Sequence, residues 1–409
     1  MSDWKTYKLA EIVDDVAMGP FGSNLKVDNF INAGVPVIRG SNLNKGGFQK
    51  DNFVFVSEEK AKSLKRCLAY PDDLVFTHRG TIGQVGIIPH NQYPYYLVSQ
   101  SQMRLSVNKE YIDSKFLYYF FLSPFGQREL LKNASQVGVP AIANPTKSLK
   151  DVNVLVPPLI EQSRIASILS SLDNKIELNL QMNKTLDSIA QAIFKEWFVN
   201  FQFPGFGGEL VDGLPKGWRK ERLGDAIEVK GGSTPSTTVQ EFWDGGFHWA
   251  TPKDLSSIQS PVLLNTERTI TEEGVKQISS GILPKGTLLL SSRAPIGYLA
   301  ISQIPVSINQ CFIAIQGKTI TNMFMLFWLR KNMDIVKSRA NGSTFQEISK
   351  SNFKDIEVII PSPELRETYD RIVVPIFEKI VTNVRQNQSI TELRDTLLPK
   401  LMTGKIRVA

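Results

Sequence analysis

The strongest constraint on this chain is that it is written twice. Thr77-His78-Arg79-Gly80-Thr81-Ile82-Gly83 aligns with Ser291-Ser292-Arg293-Ala294-Pro295-Ile296-Gly297 at an offset of 214, and the same offset carries Trp4-Lys5-x3-Leu9 onto Trp218-Arg219-x3-Leu223. Ser99 to Gln102 aligns with Ser307 to Gln310 at 208. Gly138, Leu149 and Asp151 meet Gly342, Phe353 and Asp355 at 204, where Val152-Asn153-Val154-Leu155-Val156-Pro157 returns as Ile356-Glu357-Val358-Ile359-Ile360-Pro361. Solenoid repeats run ~20–50 residues, so two tandem copies of one large unit is the simpler reading. The drifting offset implies loops of unequal length on matched scaffolds.

Each copy has a globular part and a helical part. Residues 1–156 and 217–360 read as α+β units: Val35-Pro36-Val37-Ile38, Leu74-Val75-Phe76 and Leu288-Leu289-Leu290 are strand-like apolar runs punctuated by Gly, Pro, Asn and Ser. Helices are expected near 57–68, 113–132 and 321–340. Residues 157–200 form a central helix, residues 201–216 are a Gly- and Pro-rich linker, and residues 361–409 form a C-terminal helix and tail.

The two helical parts share one seam. From Ile165, alternating steps of four and three residues reach Leu169, Leu172, Ile176, Asn179, Asn183, Leu186, Ala190, Ile193 and Trp197. Adding 204 gives Tyr369, Val373, Ile376, Ile380, Asn383, Asn387, Ile390, Arg394, Leu397 and Leu401. A sustained seam on a long helix faces another helix; the alternative is one amphipathic helix packed on each globular unit. Buried asparagines weaken a coiled coil but fix its register. Antiparallel pairing brings the central asparagines together about an approximate internal twofold. At 1.5 Å per residue, Ile165 to Trp197 spans about 50 Å, enough to hold two globular units apart.

Composition narrows the function. The 409 residues allow two to four domains. With 42% hydrophobic and 21% charged residues the chain is neither fibrous nor disordered. No apolar run approaches the ~18 residues of a membrane span, and the first residues are not a signal peptide. Cys67 and Cys311 lie far apart with no CxxC, which excludes a disulfide framework or structural zinc and fits a reducing cytoplasm. The formal charge of +7 leans toward a polyanionic partner, but it is spread along the chain without a basic arm, so a nucleic-acid surface must be a folded face.

Catalytic chemistry is not legible. There is no G-x-x-x-x-G-K-[ST] phosphate loop and no strand-linked G-x-G-x-x-G. Asn144-Pro145-Thr146 is half of a base-methylating Asn-Pro-Pro-aromatic loop and reads as a turn. His78 and His248 occupy unmatched repeat positions, and Asp72-Asp73 meets Lys285-Gly286 in the second copy. No active site and no metal site are assigned.

The readable chemistry is polar and loop-borne. Arg79 and Arg293 hold one slot on a glycine-rich turn, where a guanidinium can clasp a phosphate, grip guanine O6/N7, or pair with a backbone carbonyl. Gln102 and Gln310 can read adenine or satisfy a buried turn. Loops that differ between copies are candidates for sequence readout: Ser23, Asn24 and Lys26 against Ser233 and Thr234; Arg39, Ser41, Asn42 and Lys45 against Lys253 and Asp254; and the loop after Gly138 against Thr344 and Gln346. Lys147, which follows Asn144-Pro145-Thr146, joins these as a DNA-binding candidate.

With these residues in view, the sequence resembles a specificity (S) subunit of the type I restriction-modification systems. The likeness covers essentially the whole chain. It rests on the doubled plan and on Pro157-Pro158-Leu159-x-Glu161-Gln162, Lys195-Glu196-Trp197-Phe198-Val199-Asn200-Phe201, Gly213-Leu214-Pro215-Lys216-Gly217-Trp218 and Leu397-Leu398-Pro399-Lys400-Leu401-Met402-Thr403-Gly404-Lys405-Ile406-Arg407-Val408. Trp4 lacks the Leu-Pro-x-Gly lead-in that precedes Trp218. The resemblance implies two target recognition domains, each reading half of a bipartite, asymmetric site in double-stranded DNA. It implies spacer helices that dock two modification (methyltransferase) subunits, with restriction (translocase-nuclease) subunits joining them. S-adenosylmethionine, ATP and Mg belong to those partners, and this chain is non-catalytic, without a cofactor, in a prokaryotic cytoplasm. Rival readings are a stand-alone nuclease or methyltransferase, a coiled-coil scaffold that binds only protein, and a specificity subunit serving a fused cleavage-methylation polypeptide.

Overall fold

The computed structural model describes residues 3–44, 47–48, 52–90, 92–135, 137–342 and 346–408. The chain forms two compact units: residues 1–175 with 390–409, and residues 176–389. Each unit mixes sheets and helices on the plan of the sequence repeat.

In the first unit a four-stranded sheet runs Val13–Met18, Gln102–Val107, Leu74–Thr77, Val85–Ile87. Successive side chains of a strand leave opposite faces. Leu74 and Phe76 therefore enter one core with Met103, Leu105 and Phe116, while Val75 enters a second with Val37, Tyr96 and Leu97. Burial on both faces is why this strand reads as a continuous apolar run rather than an alternation. The second core is backed by a sheet ordered Val54–Val56, Val35–Ile38, Tyr96–Val98, Leu68–Ala69, in which the middle two strands run parallel.

The second unit repeats this logic. Strand Leu288–Ser291 sits between Phe312–Gly317 and Leu299–Ser302, sending Leu288 and Leu290 into one core and Leu289 into another. Trp243–Ala250 pairs in parallel with Val306–Ile308. Helices Ser114–Leu122 and Asn322–Lys331 start at matched caps: Asp113 accepts the Phe116 N–H, and Thr321 accepts the Phe324 N–H.

Each globular part closes on itself before handing the chain to a helix. Lys5–Lys8 pairs antiparallel with Asn153–Val156, and Arg219–Arg222 with Glu357–Ile360. The Leu9 N–H then donates to Val152 O, and the Leu223 N–H to Ile356 O, both at 2.8 Å. The long helices follow as Leu159–Phe198 and Pro363–Met402, 40 residues each.

Both helices contribute to both units. In the first unit, Ile165, Ala166 and Leu169 share a core with Leu398, Leu401 and Met402, and Leu172 and Ile390 are half-buried. Asp173 accepts from Tyr119 Oη at 2.7 Å and from Arg394 Nη1 at 2.8 Å. In the second unit, Ala190, Phe194, Trp197 and Phe198 pack in one core with Tyr369, Val373, Phe377 and Ile380, and Ile176, Leu186 and Ile376 are half-buried. There the helices run antiparallel through a polar knot. Asn179 Nδ2 donates to Asn387 Oδ1 at 2.8 Å and to Gln386 Oε1 at 2.9 Å, and Asn383 Nδ2 donates to Asn183 Oδ1 at 2.8 Å. Exchanging the helices maps the Asn179–Asn387 pair onto Asn383–Asn183, so the knot is locally reciprocal. Among the described residues Asn179 Oδ1 and Asn183 Nδ2 are buried without a hydrogen-bond partner, which lowers the stability this knot confers.

Strand registers correct two sequence alignments. Gln102 lies opposite Thr77 and Phe312 opposite Ser291, so the local offset is 210 rather than 208, and Gln310 takes the place of Gln100. A Ser-x-x-Gln match compared turn composition, whereas burial of alternate strand residues sets the ladder. Likewise Asp72 corresponds to Gly286, not Lys285: their N–H groups donate to Ile88 O and Ser302 O. Both adopt left-handed backbone, with φ of 72° and 91°.

Candidate nucleic-acid interface

One loop scaffold is built twice. Ser99 N–H donates to Ile38 O at 2.9 Å, as Asn309 N–H does to Ala250 O at 3.1 Å. His78 N–H reaches Ser101 O at 2.9 Å, as Ser292 N–H reaches Cys311 O at 2.7 Å. Ile142 N–H closes on His78 O at 2.9 Å, and Ile348 N–H on Ser292 O at 3.0 Å. Gly19 and Gly232 bring a further loop onto the same turn; a Cβ there would lie 1.9 Å from Ser99 O or 1.8 Å from Ile308 O. Within each unit these bonds gather loops distant in sequence: residues 19–26, 77–84, 99–102 and 137–144 in one, and residues 231–237, 291–298, 308–311 and 346–348 in the other. Gln84 adds the loop at 39–44 by donating to Gly40 O at 3.2 Å and also to Leu43 O.

The side chains on this scaffold differ. In the first unit Gln100 Nε2 donates to Gly22 O at 2.5 Å and Leu25 O at 2.9 Å, leaving Ser23, Asn24 and Lys26 exposed. Ser41 and Lys147 are exposed, and half-buried Arg39 donates through Nη2 to Asn52 O at 3.4 Å. In the second unit the exposed Thr234 hydroxyl donates to Gln310 Oε1 at 2.5 Å. Two indole N–H groups hold the loop from beneath: Trp249 on Ser233 O at 3.2 Å, and Trp243 on Ser236 O at 3.0 Å. Exposed Lys253 pairs with Glu267 at 2.7 Å, and Gln346 is exposed. Lys45 and Thr344 lie outside the described residues.

Three candidates prove to be loop builders. Asn42 is only 1% exposed, and its Oδ1 accepts the Arg39 N–H at 3.0 Å. Asp254 accepts from Thr251 N and Oγ1 at 2.7 and 2.8 Å and from Glu267 N at 2.7 Å. Ser233 Oγ donates to Gln277 O at 3.0 Å and accepts from Ser279 N at 3.3 Å. These polar atoms close turns and are not free to meet a base edge. Gln102 is structural for the same reason, buried and donating to Thr77 Oγ1 at 3.2 Å. The sequence reading missed Gln84, Gln100, Trp243 and Trp249, which shape the loops from distant positions.

The shared arginine slot is where the units diverge most. Arg79 is exposed and makes no side-chain hydrogen bond or ion pair among the described residues. Arg293 donates through Nε to Cys311 Sγ at 3.0 Å and through Nη1 to Glu347 Oε2 at 3.3 Å. The backbone opposite is equivalent, Ala141 bridging Arg79 as Glu347 bridges Arg293.

His78, Asp73 and Asp72 are structurally engaged. Burial pushes the His78 imidazole below its ordinary pKa, and its Nε2 lies 3.2 Å from Gln100 O. Burial raises Asp73, which accepts from Ser106 Oγ at 2.6 Å and Tyr70 N at 2.9 Å. Asp72 contacts Lys109 and His90, each at 2.8 Å. Asn144 sits at the N-cap position of helix Pro145–Lys150 in left-handed backbone, φ 43°, without a side-chain cap bond, a turn role. Among the described residues no cluster of three or more His, Cys, Asp or Glu side chains is disposed to hold a metal.

Residues 1–188 and 215–392 each match the family model described as type I restriction modification DNA specificity domain. The chain belongs to that family. It is accordingly a non-catalytic specificity subunit of a type I restriction-modification system. The HindI specificity subunit of Haemophilus influenzae is 25% identical, the alignment covering 99% of this chain and 100% of that one. The MjaIX specificity subunit of Methanocaldococcus jannaschii is 40% identical over 182 residues, 44% of this chain and 42% of the relative. The crystal structure of the type I restriction-modification S subunit from M. genitalium shares the fold, with a TM-score of 0.62 at 17% identity, covering 98% of this chain and 96% of that one. Among the described residues no helix is long and apolar enough to cross a membrane.

Proposed function

We propose that each globular unit of this specificity subunit reads one half of a bipartite, asymmetric double-stranded DNA site. The observation that carries this reading is the twice-built loop scaffold with unlike tips. Equivalent backbone bonds hold equivalent loops, while the side chains presented are Ser23, Asn24, Lys26 and an Arg79 unpaired among the described residues in one unit, and Thr234, Lys253, Gln346 and a paired Arg293 in the other. A common frame fixes how each unit lies on the duplex through phosphate contacts, and different tips select different base edges.

The helices Leu159–Phe198 and Pro363–Met402 set the gap between half-sites and dock two modification subunits. Those subunits bind S-adenosylmethionine and methylate adenine; restriction subunits that use ATP and Mg complete the complex in the cytoplasm. The test is duplex binding by the chain assembled with its modification subunits, before and after the same short helical insertion in both long helices. Salt-sensitive, sequence-selective binding is expected, with the insertion changing the preferred gap and leaving both half-sites intact. Altered half-sites at an unchanged gap would refute the spacer role.

A further inference from the structure

We infer that the two units use the shared arginine slot in opposite ways: Arg79 contacts DNA, whereas Glu347 withholds Arg293 from it. This rests on the DNA-reading function proposed above. Arg79 and Arg293 occupy one position on one scaffold, fixed by the bonds from Ile142 N to His78 O and from Ile348 N to Ser292 O. The chemistry is decided by the residue across the backbone bridge, Ala141 in the first unit and Glu347 in the second.

Ala141 carries no charge, so among the described residues nothing takes any of the five N–H donors of the Arg79 guanidinium or offsets its positive charge. Glu347 cancels that charge, and Cys311 Sγ fixes Nε, so two of the three Arg293 nitrogens are engaged. The Arg293 and Glu347 side chains are 33% and 45% exposed, so their pair is within reach of a ligand from solvent. A phosphate meeting this pair gains little from the arginine and is repelled by the carboxylate. At Arg79 it meets an uncompensated cation. The first half-site is therefore held by one more charge contact than the second, at a slot that primary structure alone makes look equivalent.

The test is the salt dependence of duplex binding by the complete complex. Each phosphate neutralised contributes about −0.9 to the slope of log K against log salt, and slopes are given as magnitudes. R79A is expected to lower the slope by about 0.9, and R293A to leave it unchanged. E347Q is expected to raise the slope by about 0.9 in the natural background and not at all beside R293A. A141E should lower the slope as R79A does, while A141Q, of similar size and uncharged, leaves it alone. If Arg79 instead grips a guanine edge, R79A and A141E will relax one base of the first half-site with the slope unchanged, and the asymmetry stands with a different acceptor. Equal losses in R79A and R293A, or no effect of both E347Q and A141E, would overturn the inference. Absence of salt-sensitive, sequence-selective binding by the unsubstituted complex would overturn the DNA-reading function itself, and the inference with it.

Discussion

Where a long helix meets its globular unit, the two units solve one mechanical problem with opposite chemistry. In the first, the Glu161 carboxylate accepts from Trp4 Nε1 at 3.0 Å, from Arg407 Nε and Nη2 at 2.6 and 2.8 Å, and from Val408 N at 3.4 Å. The Arg407 guanidinium lies 5.5 Å from the centre of the Trp4 ring. At the repeat-equivalent positions the second unit has Leu365, Phe203 and Trp218. Phe203 stacks on Trp218 at 5.5 Å and 23°, the Phe198 ring lies tilted against Trp218 at 5.9 Å, and Leu365 shares their core. The polar clasp brings together residues 4, 161 and 407, far apart in the sequence; the aromatic joint is made across the linker of residues 201–216, from Phe203 to Trp218. A directional ion pair and an area-driven stack are interchangeable at this joint, so the fold requires the joint rather than its chemistry.

Breaking the aromatic side should have the larger effect. Phe198→Ala removes a buried ring that touches Trp218, Phe324 and Tyr369, and is expected to cost about 3–5 kcal/mol in denaturant titration, independent of pH. Glu161→Gln weakens the clasp by about 1.5–3 kcal/mol, the range for hydrogen bonds to charged groups. Its pH dependence sharpens the contrast. The Arg407 hydrogen bonds hold Glu161 below the ordinary carboxylate range, so the folded chain binds its proton less tightly than the unfolded chain. The stabilisation is full above the unfolded carboxylate pKa and fades as pH falls through the folded value. Thermal melts of E161Q and the natural chain should therefore converge in acid.

The helix seam extends the comparison at smaller magnitude. In the first unit it carries the charged Asp173–Arg394 pair, in the second the neutral asparagine knot. Asn183→Ala strands the Asn383 carboxamide and should cost about 1–3 kcal/mol, whereas replacing Asn183 and Asn383 together by leucine should be near neutral. Added salt should leave N183A unchanged and narrow the gap between D173N and the natural chain.

The architecture was legible because it is carried by periodicity. Both long helices and the apolar strand runs follow from spacing, and spacing survives without knowledge of contacts; which strands pair, and in what register, does not. The loop tips were less legible, because one residue type serves two purposes. Asn42 and Asp254 look like base readers and instead cap turns, since a polar side chain next to a turn satisfies its own backbone first. Arg79 and Arg293 look equivalent until Ala141 and Glu347, tens of residues away, are brought opposite them. Gln310 was matched to the wrong glutamine because the strand register that places it depends on burial on both sheet faces.

The central claim is that one scaffold, built twice, presents two different readers. Mapping methylated adenines in cells that express the chain with its modification subunits tests it most directly, before and after residues 231–237 are exchanged for the matching loop of a related subunit. The account predicts a motif of two unlike halves with a fixed gap, and an exchange that alters one half only. Two identical halves, or a change in both, would contradict it.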